Sequence, residues 1–294
     1  MNTNVSTSQV QRNRLGIEVL HNCNLNEISD RQAAKFRQSL WEHGVVVVRN
    51  QQLTAMQLDK FAVRVFGNYS PRKARPFELN PELDPNLQSP RTGILGNPQG
   101  LGEEISGKFA WKWHQDKDRL PRTEGLDMNE LYVVMLYGVK VPLEGLDSKP
   151  HTTNFLDMIL AYNNLSPQQQ EELQDVALYH SPPVRPGTDL MSPDVPKKVH
   201  PIVSQHKITQ RKGLYLGSNS AICVGMENNL EQAKEYWQQL FETVLKVTPV
   251  YSHSWQAGDI LFWDNSQVMH AGTPYDASKY QRIALRLGII NSIW

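Results

Sequence analysis

The sequence predicts a mainly β, α+β fold: a double-stranded β-helix, or jelly roll, with flanking helices. Short apolar or alternating runs bounded by turn residues recur along the chain, as the strands of a sandwich or barrel do. Helix-period segments with capping signals are few, and they do not alternate regularly with the strands, which argues against a parallel α/β sheet. The glycines Gly93, Gly96, Gly100 and Gly102 do not supply the G-x-G-x-x-G pattern of a dinucleotide-binding unit.

The elements follow in order. Residues 1–14 are rich in Asn, Ser, Thr and Gln and read as a disordered tail. Residues 15–294 read as one domain, because the candidate site below draws on distant parts of the chain. Leu15–Leu20 is a short strand. Asp30 caps a helix over Arg31–His43 that Gly44 stops. Val45–Val48 is a buried strand and Ala55–Phe66 a helix. The stretch 67–102, dense in Pro and Gly, reads as a loop or lid and holds Arg72, Lys73 and Arg75. Strands are predicted at Phe109–Asp116 and Leu131–Val139, then a helix over Asn154–Asn163. A second helix begins with Ser166 as N-cap and Pro167 at its first position. Strands at Ala177–His180, His200–Val203 and Leu214–Leu216 precede a helix over Leu230–Lys246. Three strands close the chain: Val250–Trp255, Ile260–Trp263 and Arg282–Ile290.

Composition narrows the function. Thirty Lys and Arg balance thirty Asp and Glu across 294 residues, which leaves no electrostatic footprint for nucleic acid or an anionic membrane. Cys23 and Cys223 form neither a disulfide framework nor a zinc cluster, and a reducing, cytoplasmic setting is expected. The first residues lack the apolar core of a signal peptide, and no apolar run reaches bilayer length. Self-association into a homo-oligomer is left open.

Three segments carry candidate chemistry. In a strand, His114 and Asp116 of Trp113-His114-Gln115-Asp116 project to one side as an imidazole–carboxylate pair. The pair either chelates a metal or is an Asp orienting a surface His. A second segment runs from Tyr251 through the Gly258-Asp259 turn and Trp263-Asp264-Asn265 to His270, placed in the following loop. The last strand puts Ile283, Leu285, Leu287 and Ile289 on one face and Arg282, Ala284, Arg286 and Gly288 on the other. Those arginines either meet water or point into a polar barrel interior, where guanidiniums suit bidentate capture of carboxylates.

From Leu15 to Ile290 the sequence resembles the TauD/TfdA family, the taurine- and 2,4-dichlorophenoxyacetate-type dioxygenases. The likeness lies in His114-x-Asp116, His200-Pro201-Ile202-Val203, Arg211-Lys212-Gly213-Leu214-Tyr215-Leu216, the segment Tyr251 to His270, and the arginines Arg282 and Arg286. The resemblance implies Fe(II) held by His114, Asp116 and His270, with 2-oxoglutarate and O2 as cosubstrates. It also implies that Arg282 pairs with the distal carboxylate of 2-oxoglutarate and that Arg286 helps bind an anionic substrate. The family's Gly-Gly-Asp-Thr is not matched, because Gly145 to Thr153 reads Gly-Leu-Asp-Ser-Lys-Pro-His-Thr-Thr here. Counting back from Ala161-Tyr162-Asn163-Asn164-Leu165-Ser166 puts Thr153 at the cosubstrate contact, whereas matching Gly and Asp picks Ser148; Thr153 is preferred, because Thr153-x-Phe155-x-x-Met158 keeps the family rhythm. The expected reaction is oxidation, chiefly hydroxylation, of a small organic acid with release of succinate and CO2. Two alternatives stand beside it: a desaturase or oxidative decarboxylase of an amino-acid-derived isonitrile acid, and a non-catalytic jelly-roll binding protein.

Overall fold

Val45–Val48 (β2) is apolar at every position because it is covered on both sides, Val46 and Val48 by helices and Val45 and Val47 by a second sheet. The same division by parity recurs in its neighbours Leu131–Lys140 (β5), Ile260–Asp264 (β13) and Ile283–Asn291 (β15). A computed structural model describes residues 15–18, 24–67, 70–71, 80–102, 108–116, 131–181, 189–195, 197–218 and 221–291. The predicted tail, Cys23, Arg72, Lys73 and Arg75 lie outside these residues.

The larger sheet joins Ile17–Glu18 (β1), Ser70–Pro71 (β3) and Gly93–Gly96 (β4) to these strands in the order β1-β2-β13-β5-β15-β3, with β4 also on β15. Pairing is antiparallel throughout except β1 on β2. Asp30–His43 (α1) and Ala55–Phe66 (α2) pack on its outer face around Phe36, Leu40, Phe61 and Phe262. Each opens with a capping box, Ser29 with Gln32 and Thr54 with Gln57, so α1 is capped one residue earlier than predicted. Gly44 ends α1 at φ 68°, a conformation glycine adopts without strain. Gly258 (φ 91°) makes the predicted turn before β13, where a Cβ would stand 2.9 Å from the Gln51 carbonyl oxygen.

The facing sheet has Thr152–Asp157 (β6) at its centre, between Val250–Ser254 (β12) and Val268–Gly272 (β14). A helix from Asn154 was predicted, but this segment pairs on both sides and is a strand to Asp157. Tertiary pairing outweighs local propensity there. Asp157 caps the shorter helix Met158–Asn164 (α3), its carboxylate accepting from the N–H groups of Ile159 and Leu160 at 3.0 Å each. Phe155, Trp255 and Val268 meet Val45, Val134, Leu136, Trp263 and Ala284 between the two sheets.

Pro167–Glu172 (α4) starts as predicted on Ser166, and Ala177–His180 (β7) matches its prediction. Lys198–Pro201 (β8), Val203–Gln205 (β9), Lys212–Leu214 (β10) and Ile222–Cys223 (β11) form two small sheets, β11-β7-β8 and β10-β9. A third apolar cluster joins these strands to α3 and to Leu230–Val247 (α5). Among the described residues, no helix is long and apolar enough to cross a membrane.

Two further expectations need correction. The stretch 67–102 is not wholly loop, since β4 adds a strand to the main sheet and brings Leu95 to the cavity wall. Phe109–Asp116 is not a strand: Lys108–Trp111 is a 3-10 turn, and His114 makes only isolated bridges to Ser218 and His270. Its amides go to separate partners, His114 to the His270 carbonyl and Gln115 to the Gly217 carbonyl, so no ladder forms.

Candidate metal centre

His114 and His270 are joined through the backbone, each N–H donating to the other's carbonyl at 3.0 Å. His270 therefore lies within β14 rather than in the predicted loop, and its ring is packed between Trp263 and Phe155. Asp116 enters from the same irregular segment as His114. Its N–H donates to Asn265 Oδ1 at 2.8 Å, and the Gln115 side chain donates to the Asn265 carbonyl. The turn between β13 and β14 thus holds the carboxylate while β14 holds an imidazole.

The donor atoms converge. One ligand atom from each of His114, Asp116 and His270 lies within 4.8 Å of the others. His114 Nε2 stands 3.8 Å from Asp116 Oδ1, and His270 Nε2 stands 3.7 Å from Asp116 Oδ2. His114 Nδ1 is 2.7 Å from the Lys112 carbonyl oxygen. A carbonyl only accepts, so Nδ1 carries the proton and Nε2 presents its lone pair inward, the tautomer a metal ligand requires. Two imidazoles and one carboxylate, buried and facing one point, fit a divalent transition metal and leave positions open for exogenous ligands.

A cavity of about 220 Å³ adjoins the trio and is also lined by Trp111, His151, Thr153, Arg282 and Arg286. Trp111 therefore faces the cavity along with His114, although the alternation of the predicted strand Phe109–Asp116 would put the two on opposite faces. Arg286 lies on the inner face with Ala284, the second of the two alternatives its alternation left open. Arg286 Nη2 donates to Asp116 Oδ2 at 2.7 Å, so an internal carboxylate is already its partner. Thr153 Oγ1 accepts from Trp255 Nε1 at 2.9 Å, which leaves its own proton to donate elsewhere. Ser148 is exposed in a turn at φ 60° and does not line the cavity.

His151 was not among the expected site residues. It is buried in the cavity wall, where desolvation first and the charge of Arg282 second lower its pKa to about 3. The departure of 145–153 from the Gly-Gly-Asp-Thr pattern was the one sequence signal pointing there.

Comparison with known proteins gives the family. Residues 7–287 match the model of the taurine catabolism dioxygenase TauD, TfdA family. The alpha-ketoglutarate-dependent 2,4-dichlorophenoxyacetate dioxygenase of Cupriavidus pinatubonensis is 29% identical over 258 residues, 81% of each chain. Pentalenolactone F synthase of Streptomyces avermitilis is 25% identical over 86% of this chain and 83% of its own. A taurine dioxygenase from Burkholderia xenovorans superposes with a TM-score of 0.68 at 22% identity, over 95% of this chain and 86% of that one. AAD-2, solved with Mn(II) and N-oxalylglycine, gives 0.69 at 20% identity over 96% of both chains. The jelly-roll fold is shared with these structures, and the chain belongs to the TauD/TfdA family of dioxygenases.

Proposed function

We propose that this enzyme uses Fe(II), 2-oxoglutarate and O2 to hydroxylate a small organic acid. One observation carries the reading: a single cavity is lined both by the His114, Asp116, His270 trio and by Arg282 with Thr153. The trio would hold the iron. Arg282 offers a planar fork of donors to the distal carboxylate of 2-oxoglutarate, and Thr153 offers the proton its Trp255 bond leaves unused. Bound there, iron and 2-oxoglutarate supply O2 activation coupled to decarboxylation of the cosubstrate to succinate and CO2. The chain's own residues orient and shield. Asn265 and Arg286 fix Asp116, Lys112 fixes the His114 tautomer, and Trp263 and Phe155 pin the His270 ring.

Charge balance supports an anionic substrate. Among the described residues lining the cavity, Arg282 and Arg286 are cationic and Asp116 anionic. With a divalent ion and a dianionic cosubstrate added, one positive charge is left, which favours a monoanion in a partly desolvated site. Relatives whose names specify phenoxyacetate and phenoxypropionate act on acids of that kind.

Anaerobic addition of Fe(II) and 2-oxoglutarate should give a metal-to-ligand charge-transfer band that shifts when candidate organic acids are added. His114→Ala, Asp116→Ala and His270→Ala should each abolish the band and turnover. A parent enzyme that forms no band, or three variants that all retain it, would refute the iron assignment.

A further inference from the structure

His151 is a buried, titratable group of the cavity wall to which the proposed reaction gives no task. It precedes β6, is 4% exposed, and is held on several sides. The Trp255 N–H donates to its carbonyl at 3.2 Å, and its ring meets that of Tyr275 edge-on with centroids 5.6 Å apart. Its Nδ1 stands 3.1 Å from Thr273 Oγ1. No other described residue hydrogen-bonds the ring, so Nε2 is the nitrogen left for the cavity that His151 shares with Arg282, Thr153 and Thr273.

Burial beside Arg282 keeps this imidazole neutral, so it carries one proton on either nitrogen. The tautomer depends on Thr273. Its hydroxyl proton has two acceptors within 3.1 Å, His151 Nδ1 and the Thr152 carbonyl. That carbonyl also accepts from the Thr273 N–H at 2.9 Å, so it keeps a partner when the hydroxyl turns to Nδ1. The His151 proton then sits on Nε2 and faces the cavity as a donor. An anion beside Arg282 favours this tautomer. A carboxylate offers about four lone-pair sites, and a bidentate guanidinium with one hydroxyl uses three of them.

We propose that His151 donates from Nε2 to the carboxylate held by Arg282 and Thr153, making a three-residue clamp for the end of the bound cosubstrate. The clamp rests on 2-oxoglutarate occupying this cavity, as proposed above. A neutral donor adds specificity without a second adjacent cation, because an imidazole fixed in place rewards only an acceptor that reaches it.

Calorimetric titration of 2-oxoglutarate into the Mn(II)-loaded full chain separates the two claims. His151→Leu, which keeps the bulk and removes the donor, should weaken 2-oxoglutarate binding about 10- to 100-fold. His151→Gln, which keeps an N–H, should recover most of that loss, and Mn(II) affinity should match the parent in both variants. Equal 2-oxoglutarate affinity in parent and His151→Leu overturns the clamp and leaves the cosubstrate assignment standing. A parent that does not bind 2-oxoglutarate overturns both. Nitrogen-15 NMR of the unmodified, Zn(II)-loaded chain needs no variant to fold. Protonated Nε2 in the 2-oxoglutarate complex is the result expected, and bare Nε2 there overturns the clamp.

Discussion

Asp116 accepts from Arg286 through Oδ2 while also facing both histidines, so one carboxylate links the candidate metal trio to the last strand. Parity along β15 put Arg286 on one face with Arg282 and Ala284 but left open whether that face met water or the interior; Arg286 lies on the inner face. Its partner was not legible, because Asp116 belongs to a segment whose alternation suggested a strand and whose amides are in fact taken one by one. The pairing changes what Arg286 is expected to do. Removing a group that orients a ligand typically costs 10–100-fold in metal affinity, and Arg286→Ala should weaken Fe(II) binding by about that factor. Metal titration checks this; unchanged Fe(II) affinity with a raised substrate KM would assign Arg286 to the substrate instead. Arg282→Ala should raise the KM for 2-oxoglutarate sharply, by about 2–5 kcal/mol in binding, if, as proposed, the lost group pairs with its carboxylate. Thr153→Ala should act in the same direction but less, and Ser148→Ala should leave the same KM unchanged.

At the scale of elements, the turn between β13 and β14 is the most constrained piece of the site. Asp264 is fully buried there and accepts from Ser266, from Gln267 and from the ring of His206 at 2.7 Å, while the next residue holds Asp116. Burial alone would raise the Asp264 pKa, but the charge of His206 and these hydrogen bonds outweigh it and lower it to about 2. A lowered carboxylate pKa gives stability that is complete above the ordinary value of 3.8 and is lost as the pH falls through about 2. Denaturant unfolding of the parent should show that loss between those values. Asp264→Ala should destabilise by about 3–5 kcal/mol at neutral pH, because the buried His206 side would lose its partner, and should flatten the acid limb. Elements governed by their own residues were legible in the sequence: α2 between its capping box and Gly67, β2, β7, and α5 to within a residue. Those governed by distant partners were not. Thr152–Asp157 is a strand because β12 and β14 flank it, and His270 lies in a strand because β6 pairs with it.

For the whole molecule, the site lies where two sheets with separate outer packing meet. One cluster sits under α1 and α2, another around α5, and a third between the sheets beneath the metal trio. Ligands that bind only the assembled site should stabilise the entire fold. Fe(II) with 2-oxoglutarate at about 100 times their dissociation constants adds about 2.7 kcal/mol per independently binding ligand. Thermal unfolding should therefore move up with both present and fall back when a chelator is added, and His270→Ala should remove the response. The mutual backbone bond between His114 and His270 has a mechanical consequence. It is a clasp: the spacing between two candidate ligands is set by one pair of peptide groups and owes nothing to the length of chain joining them. The connecting segments can lengthen, shorten or be exchanged to suit a new guest, and the jaws of the clasp keep their gap.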